Sequence, residues 1–178
     1  GCDTILSQMV AECMDCDVDN VAVFGADTDA SPYDSGSYAS STTYITGKAV
    51  EMACAELKQK ICAIAAGMMG CGADEVVFES DRVRRVDSEQ SVSLTDISYK
   101  AQVNNEYAAQ ATATHSSPVS PPPYMVGMVE IELDKRTGLV TILDYKAVVD
   151  CGIPVNPALA RIQTEGGLVQ GIGMTLTE

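Results

Sequence analysis

Met125-Val126-Gly127-Met128-Val129-Glu130-Ile131-Glu132-Leu133 decides the fold class, because its apolar and polar residues alternate. Met125, Gly127, Val129, Ile131 and Leu133 fall on one side, and Val126, Met128, Glu130 and Glu132 on the other. A period of two is that of an extended strand. Asp134-Lys135-Arg136-Thr137-Gly138 is a turn, and Leu139 to Val149 returns as the partner strand of a hairpin.

Working outward, Pro118 to Pro123 is a proline-rich connector of extended backbone. It separates approximate lobes 1–117 and 118–178 within one region, 1–178. Beyond the hairpin, Asn156-Pro157 opens a helix, with Asn156 as cap and Pro157 at the first helical position. Gly166-Gly167, Gly171 and Gly173 are expected to interrupt it. Upstream, Ile5, Met9, Val10 and Cys13 predict a helix over Thr4 to Met14, capped by Asp3 or Thr4. Val21-Ala22-Val23-Phe24 reads as a short buried strand ending at Gly25, and Asp27 to Thr46 as a loop.

A long helix is expected from about Gly47 to Met69. Ala49, Ala53, Leu57, Ile61 and Ile64 or Ala65 form its apolar stripe, and Gly67, Gly70 and Gly72 stop it. Val76–Glu79 and Val83–Val86 suggest a small hairpin. Leu94 to Val103 is a helix capped by Ser93 or Thr95, Asn104–Tyr107 leads out of it, and Ala111–His115 is a candidate strand. Hairpins and long helices without strict βαβ alternation make the fold class α+β, with antiparallel or mixed sheet hairpins packed with three to four helices.

The composition is globular: 46% hydrophobic and 20% charged residues in a chain of 178. No apolar run approaches the roughly 18 residues of a membrane-spanning helix. The net charge of −14 disfavours nucleic acid and anionic membrane as partners, and is read as a soluble cytoplasmic surface. Of seven cysteines only Cys13 and Cys16 are close in sequence. That spacing gives neither a zinc site nor an iron–sulfur site, and suits reduced thiols in a reducing compartment. His115, the one histidine, reads as a loop or strand-edge residue, and Asp27 and Asp29 as turn formers rather than ligands of a cation.

Chemistry is suggested most by residues 36–47, Gly-Ser-Tyr-Ala-Ser-Ser-Thr-Thr-Tyr-Ile-Thr-Gly. Ser40, Ser41, Thr42, Thr43 and Thr46 crowd the N-terminal end of the long helix. Free amides and the helix dipole there favour an anion such as phosphate, to which hydroxyls add donors without charge. The same residues are also simply good capping and turn formers, and the two readings stand side by side. Gly171-Ile172-Gly173 is no dinucleotide fingerprint, because no strand immediately precedes it and a third glycine is absent. Close helix packing accounts for those glycines.

Taken together, these segments resemble the cofactor-binding large subunit of the molybdenum hydroxylases, the xanthine dehydrogenase and aldehyde oxidase type. The resemblance is carried by Asp27-Thr28-Asp29 with Pro32, by Ala39-Ser40-x-x-x-Tyr44-x-x-Gly47, and by Glu130-x-Glu132-x-Asp134-x-x-Thr137-Gly138. Asp150-x-Gly152, Asn156-Pro157 and Gln163-x-Glu165-Gly166-Gly167-x-x-Gln170-Gly171-Ile172-Gly173 extend it over nearly the whole chain.

The resemblance implies an oxidoreductase that holds a molybdopterin cofactor and hydroxylates a purine such as hypoxanthine or xanthine, or a related N-heterocycle. Oxygen comes from water, hydride passes to molybdenum, and electrons leave through iron–sulfur and FAD partners on other domains or subunits. It implies that this stretch is an internal piece, completed by the remaining molybdopterin domain. Gly1, Asp3 and Thr4 correspond to the trailing end of a cofactor-holding Gly-Gln-Gly turn. Ala39, Ser40, Ser41, Thr42 and Thr43 correspond to the segment that holds the pterin's phosphate or dinucleotide tail. The family usually has Arg where this chain has Ser41, which removes a charge-assisted contact to phosphate. The family's general-base glutamate lies in a Gly-x-Gly-Glu segment that is not in this stretch, so no catalytic residue is assigned. The stretch alone is expected to bind little cofactor and not to turn over. The departure at Ser41 keeps an alternative open, a degenerate cofactor-binding or assembly module without catalysis.

Overall fold

A computed structural model describes residues 1–25, 27–29, 31, 33–34, 36–103 and 109–178. Pro32 and the segment 104–107 expected to lead out of a helix lie outside the described residues. The chain divides into two compact units, Gly1–Pro118 and Val119–Glu178.

In the first unit the elements after α1 (Cys2–Met14) are a 3₁₀ turn (Val18–Asn20) and a π-helical turn (Thr42–Thr46) that runs into α2 (Gly47–Met69). β1 (Val76–Glu79), β2 (Arg82–Arg85) and β3 (Ser91–Ser93) form an antiparallel sheet in that order, and α3 (Leu94–Val103) follows. The second unit is β4 (Tyr124–Leu133) paired antiparallel with β5 (Val140–Asp150), then α4 (Pro157–Leu176). This is an α+β fold with antiparallel hairpins and, among the described residues, four α-helices.

The core lies in the first unit, where Ile61, Ala65 and Met69 of α2 meet Val83 of β2 and Ile97 of α3. Val83 and Ile97 are fully enclosed. Val83 pairs with Phe78 on one side and Val92 on the other, so the centre of the sheet faces the long helix. The buried face of α2 (Gly47, Cys54, Ile61, Ala65, Ala66 and Met69) shares only Ile61 and Ala65 with the expected stripe. Ala49, Ala53, Leu57 and Ile64 are half-buried beside it. Gly70, at φ 69°, ends the helix in the left-handed region, where glycine carries no Cβ penalty.

Several expectations are corrected. Residues 21–25 form no strand, and Phe24 is 83% exposed. Among the described residues this four-residue apolar run has no neighbour to pair with, and strands exist only as pairs. Residues 111–115 are likewise unpaired. The cap of α1 is Gly1 rather than Asp3 or Thr4, with no side-chain hydrogen bond. Ser91–Ser93 is a third strand that the sequence reading missed; it is three residues long, too short for periodicity to register. The glycines of α4 do not break it, since each keeps helical backbone and costs stability without stopping the helix.

In the hairpin the alternation is correct for β4, but the register shifts after Glu130–Asp144, leaving Leu143 of β5 unpaired as a bulge. Burial records the slip: Val140 and Ile142 are half-buried, Leu143 and Asp144 are both exposed, and Tyr145, Ala147 and Val149 are half-buried again.

Candidate cofactor-binding site

Two contacts fix how α1 lies on α2. A Cβ on Gly47 would meet Met9 Sδ at 2.8 Å, and Met14 packs against the core cluster of Ile61, Ala65, Met69, Val83 and Ile97. From 9 to 14 on α1 the surroundings change from the start of α2 to the core around its far half, so the two helices run in the same direction. Their N-terminal ends, and the positive ends of their dipoles, therefore lie at the same end of the pair.

The site residues expected from the sequence occupy that end. Gly1 caps α1, and Asp3 and Thr4 stand exposed in its first turn. The Asp3 carboxylate lies against Gly25, where a Cβ would be 3.1 Å from Oδ1, and its carbonyl accepts from Ser7 Oγ at 2.7 Å. Gly25 was read only as the end of a strand; its closeness to Asp3 is a tertiary contact without a local signal.

Ala39 and Ser40 are exposed and sit at φ 52° and 57°, two consecutive non-glycine residues in the left-handed region. Such a conformation costs an L-residue roughly 1–2 kcal/mol. Ser41 reverts to right-handed backbone at φ −91°. A left-handed residue followed by a right-handed one turns successive amides toward one concavity, which attracts anions. Ser41 itself donates its N–H to the Tyr38 carbonyl at 3.2 Å and caps the π turn, its carbonyl accepting from Ile45 N–H at 2.7 Å. Thr42 donates its hydroxyl to Ser37 Oγ at 2.6 Å, which ties the turn to the loop before it, and Thr43 is exposed. The amides of Thr42, Thr43 and Tyr44 precede the first intrahelical bond, so the turn offers them outward.

Ser37 and Tyr44 stand within residues 36–47 with no role assigned from sequence; the structure gives them one as supports of the turn. Tyr44 OH accepts from Ser117 Oγ at 3.4 Å, a contact between positions far apart in sequence. A π turn running into an α-helix could have been suspected only from the density of hydroxyls. Asp27 serves as a turn former, its Oδ1 accepting from Asp29 N–H at 2.9 Å. Among the described residues no group of three or more His, Cys, Asp or Glu is placed to hold a metal ion. No helix there is long and apolar enough to cross a membrane.

The motifs of the second unit turn out to have local work. Asp134 Oδ1 accepts from Arg136 N–H at 2.8 Å, and Gly138 closes that turn at φ 77°. Asp150 Oδ1 accepts from Gly152 N–H at 3.0 Å, and Asn156 Oδ1 accepts from Leu159 N–H at 3.0 Å as the cap of α4. The Gln163–Gly173 stretch lies within α4.

Known proteins agree with this architecture. The protein named "Probable hypoxanthine oxidase XdhD" of Escherichia coli (strain K12) is 32% identical over 179 residues, covering 100% of this chain and 19% of its own. The "Xanthine dehydrogenase molybdenum-binding subunit" of Escherichia coli O157:H7 is 35% identical over 183 residues, covering 100% of this chain and 24% of its own. The chain thus spans about a fifth to a quarter of the length of these curated relatives. The crystal structure of quinoline 2-oxidoreductase from Pseudomonas putida 86 shares the fold, with a TM-score of 0.75 at 23% identity, over 96% of this chain and 22% of that one. A family model described as "Molybdopterin cofactor-binding domain" matches residues 1–178, and the chain belongs to that family.

Proposed function

We propose that the chain forms part of the cofactor cradle of a cytoplasmic molybdenum hydroxylase, acting on a purine such as hypoxanthine or on a related N-heterocycle. The observation that carries this reading is the left-handed pair Ala39–Ser40 at the shared N-terminal end of α1 and α2. When bound, a molybdopterin cofactor supplies redox chemistry at its metal, through which such enzymes hydroxylate carbon with oxygen from water.

The residues present fit an anionic group. Residues 36–47 contain no acidic side chain, and their backbone concavity and first-turn amides are donors. Ser40, Ser41 and Thr43 would add hydroxyl donors, while Thr42, bonded to Ser37, holds the turn's shape. Gly1, Asp3 and Thr4 would border the same group from α1. Ser41 contributes no charge, so retention rests on backbone donors rather than on an ion pair.

Neither unit is read as a complete enzyme. None of the second unit's described residues is buried, and a two-stranded sheet with one helix is marginal without further cover. This supports reading it as a region of a larger subunit, with the base glutamate elsewhere and iron–sulfur and flavin partners taking the electrons. The seven free thiols accord with a reducing compartment.

The test uses the full-length protein produced with ample molybdate. Ser40→Asp tolerates left-handed backbone yet sets a negative charge against the expected anion, and Ser40→Asn is its neutral match. Pterin and molybdenum content should fall sharply in Ser40→Asp and persist in Ser40→Asn. Equal retention in both would remove Ser40 from the cradle. Wild-type protein that holds molybdenum but never labels hypoxanthine, xanthine or nicotinate with oxygen from ¹⁸O-water would favour the non-catalytic module.

A further inference from the structure

Residues 110–117 belong to no helix or strand, yet both ends of the segment are held. Lys60 Nζ, beyond the middle of α2, donates to the Gln110 carbonyl at 2.9 Å, and Ser117 Oγ donates to Tyr44 OH at 3.4 Å, just ahead of that helix. From Tyr44 to Lys60 the helical path rises about 24 Å, and residues 110–117 span about the same length when fully extended. The segment therefore runs straight along α2, in the opposite direction, down to the turn at its start.

Burial agrees with that course. Ala111, Ala113, His115 and Ser117 are half-buried, while Thr112, Thr114 and Ser116 are exposed. A period of two is that of an extended chain laid with one face on a surface. Three of the four inner side chains are small, which lets the backbone lie close to the helix.

What the far anchor holds is an unusual turn. Thr42–Thr46 is π-helical, with Gly47 N–H donating to the Thr42 carbonyl. Such turns are rare and occur mostly singly, beside α-helical backbone and frequently at functional sites. Relaxing this one to α geometry would carry the residues before Gly47 about 100° round the axis, and Ser40 to Thr43 with them. Thr42 is tied to Ser37 on the side of the loop, and Tyr44 to Ser117 on the side of the extended segment. Together the two bonds resist that rotation.

We propose that residues 110–117 are a splint along α2, and that Tyr44, Ser117 and Lys60 are positioning residues for cofactor retention. This rests on the reading of residues 39–43 as part of the cradle. Ser117 acts through Tyr44, and Tyr44 through the shape of the turn that presents Ser40 to Thr43. Lys60 acts from about 24 Å away, because releasing Gln110 lets the splint lift and loosens its hold on Tyr44. Glu56 pairs with the same ammonium along α2, so Glu56→Gln removes an ion pair and leaves the bond to Gln110.

The test uses the full-length protein produced with ample molybdate, and reads two quantities. One is hydrogen exchange in the peptide covering residues 42–46, and the other is the rate of pterin release on warming. Tyr44→Phe, Ser117→Ala and Lys60→Met should each raise both by about two- to fivefold, the worth of one net hydrogen bond. Ser117→Thr, Lys60→Arg and Glu56→Gln should stay near wild type. Tyr44→Phe combined with Lys60→Met should show no more than the larger single effect, since both cut the same splint. Effects that add, or unchanged exchange at 42–46 in all three variants, would overturn the splint. Quickened exchange with unchanged pterin release, while Ser40→Asp still strips the cofactor, would remove the splint from retention and leave the cradle standing. Failure of the cradle reading looks different, because Ser40→Asp then keeps its cofactor whatever the splint variants do.

Discussion

Gly47 leaves no room for a side chain beside Met9: a Cβ on its backbone would lie 2.6 Å from Met9 Cε and 2.8 Å from Sδ. The contact sets how closely the start of α2 approaches α1. Met9 is flexible at its tip, so the methyl of Gly47→Ala can be accommodated. Alanine also recovers the roughly 0.5–1 kcal/mol that glycine costs in a helix. Gly47→Ala is therefore expected near neutral in thermal unfolding. Gly47→Val brings two more carbons into the same gap and should destabilise by about 1–3 kcal/mol, with cofactor content falling alongside. A Gly47→Val protein with wild-type melting would mean that the two helices can separate there without loss.

The strained pair Ala39–Ser40 makes a second prediction. Ala39→Gly removes the left-handed penalty of roughly 1–2 kcal/mol but adds chain freedom to the unfolded state worth about 0.4–1 kcal/mol. Thermal unfolding should show a change within about 1 kcal/mol in the stabilising direction. Ala39→Val cannot adopt φ 52° without severe crowding, and should rearrange the turn. Proteolysis within residues 27–41 would then quicken while the core of Ile61, Val83 and Ile97 stays protected from hydrogen exchange.

A third prediction concerns acid. Glu75 is held below the usual carboxylate range by the Gly72 N–H at 3.2 Å and then by Arg85, 2.6 Å away. A carboxylate with a lowered folded value contributes stability that is present above its unfolded value of about 4.3 and is lost as pH falls through the lower folded value. Stability of the first unit should therefore decline below about pH 4.3, and Glu75→Gln should flatten that part of the profile. Denaturant midpoints at several acidic pH values check this. An unchanged slope in Glu75→Gln would show that other carboxylates dominate.

What the sequence made legible was whatever is locally encoded. The C-terminal end of α2 follows from Gly70, the start of α4 from Asn156-Pro157, and the β4–β5 turn from Asp134 and Gly138. Ser40 to Thr43 stood out because hydroxyls at a helix start have a chemical reason to be there. Other features depend on partners distant in the chain. Residues 21–24 are apolar enough for a strand, yet among the described residues nothing pairs with them. Gly25 against Asp3 and Met9 against Gly47 are tertiary contacts without local periodicity. The bulge at Leu143 is hidden for a related reason, since its flanks each alternate correctly and only pairing with β4 reveals the extra residue.

The last prediction separates a local role from a cofactor role at Asn156, one of the motif positions. Its side chain accepts the Leu159 N–H at 3.0 Å, and Pro157 follows at the first position of α4. Losing an Asn cap to alanine costs about 0.5–2 kcal/mol, and aspartate caps as well as asparagine. Asn156→Ala should thus lower the stability of the second unit by about 1 kcal/mol and speed hydrogen exchange in the first turn of α4. Asn156→Asp should match wild type in both, with a small gain from its charge at the helix N-terminus. If Asn156→Asp instead loses cofactor while keeping helix protection, the residue's amide meets something beyond its own helix, and capping alone does not explain it.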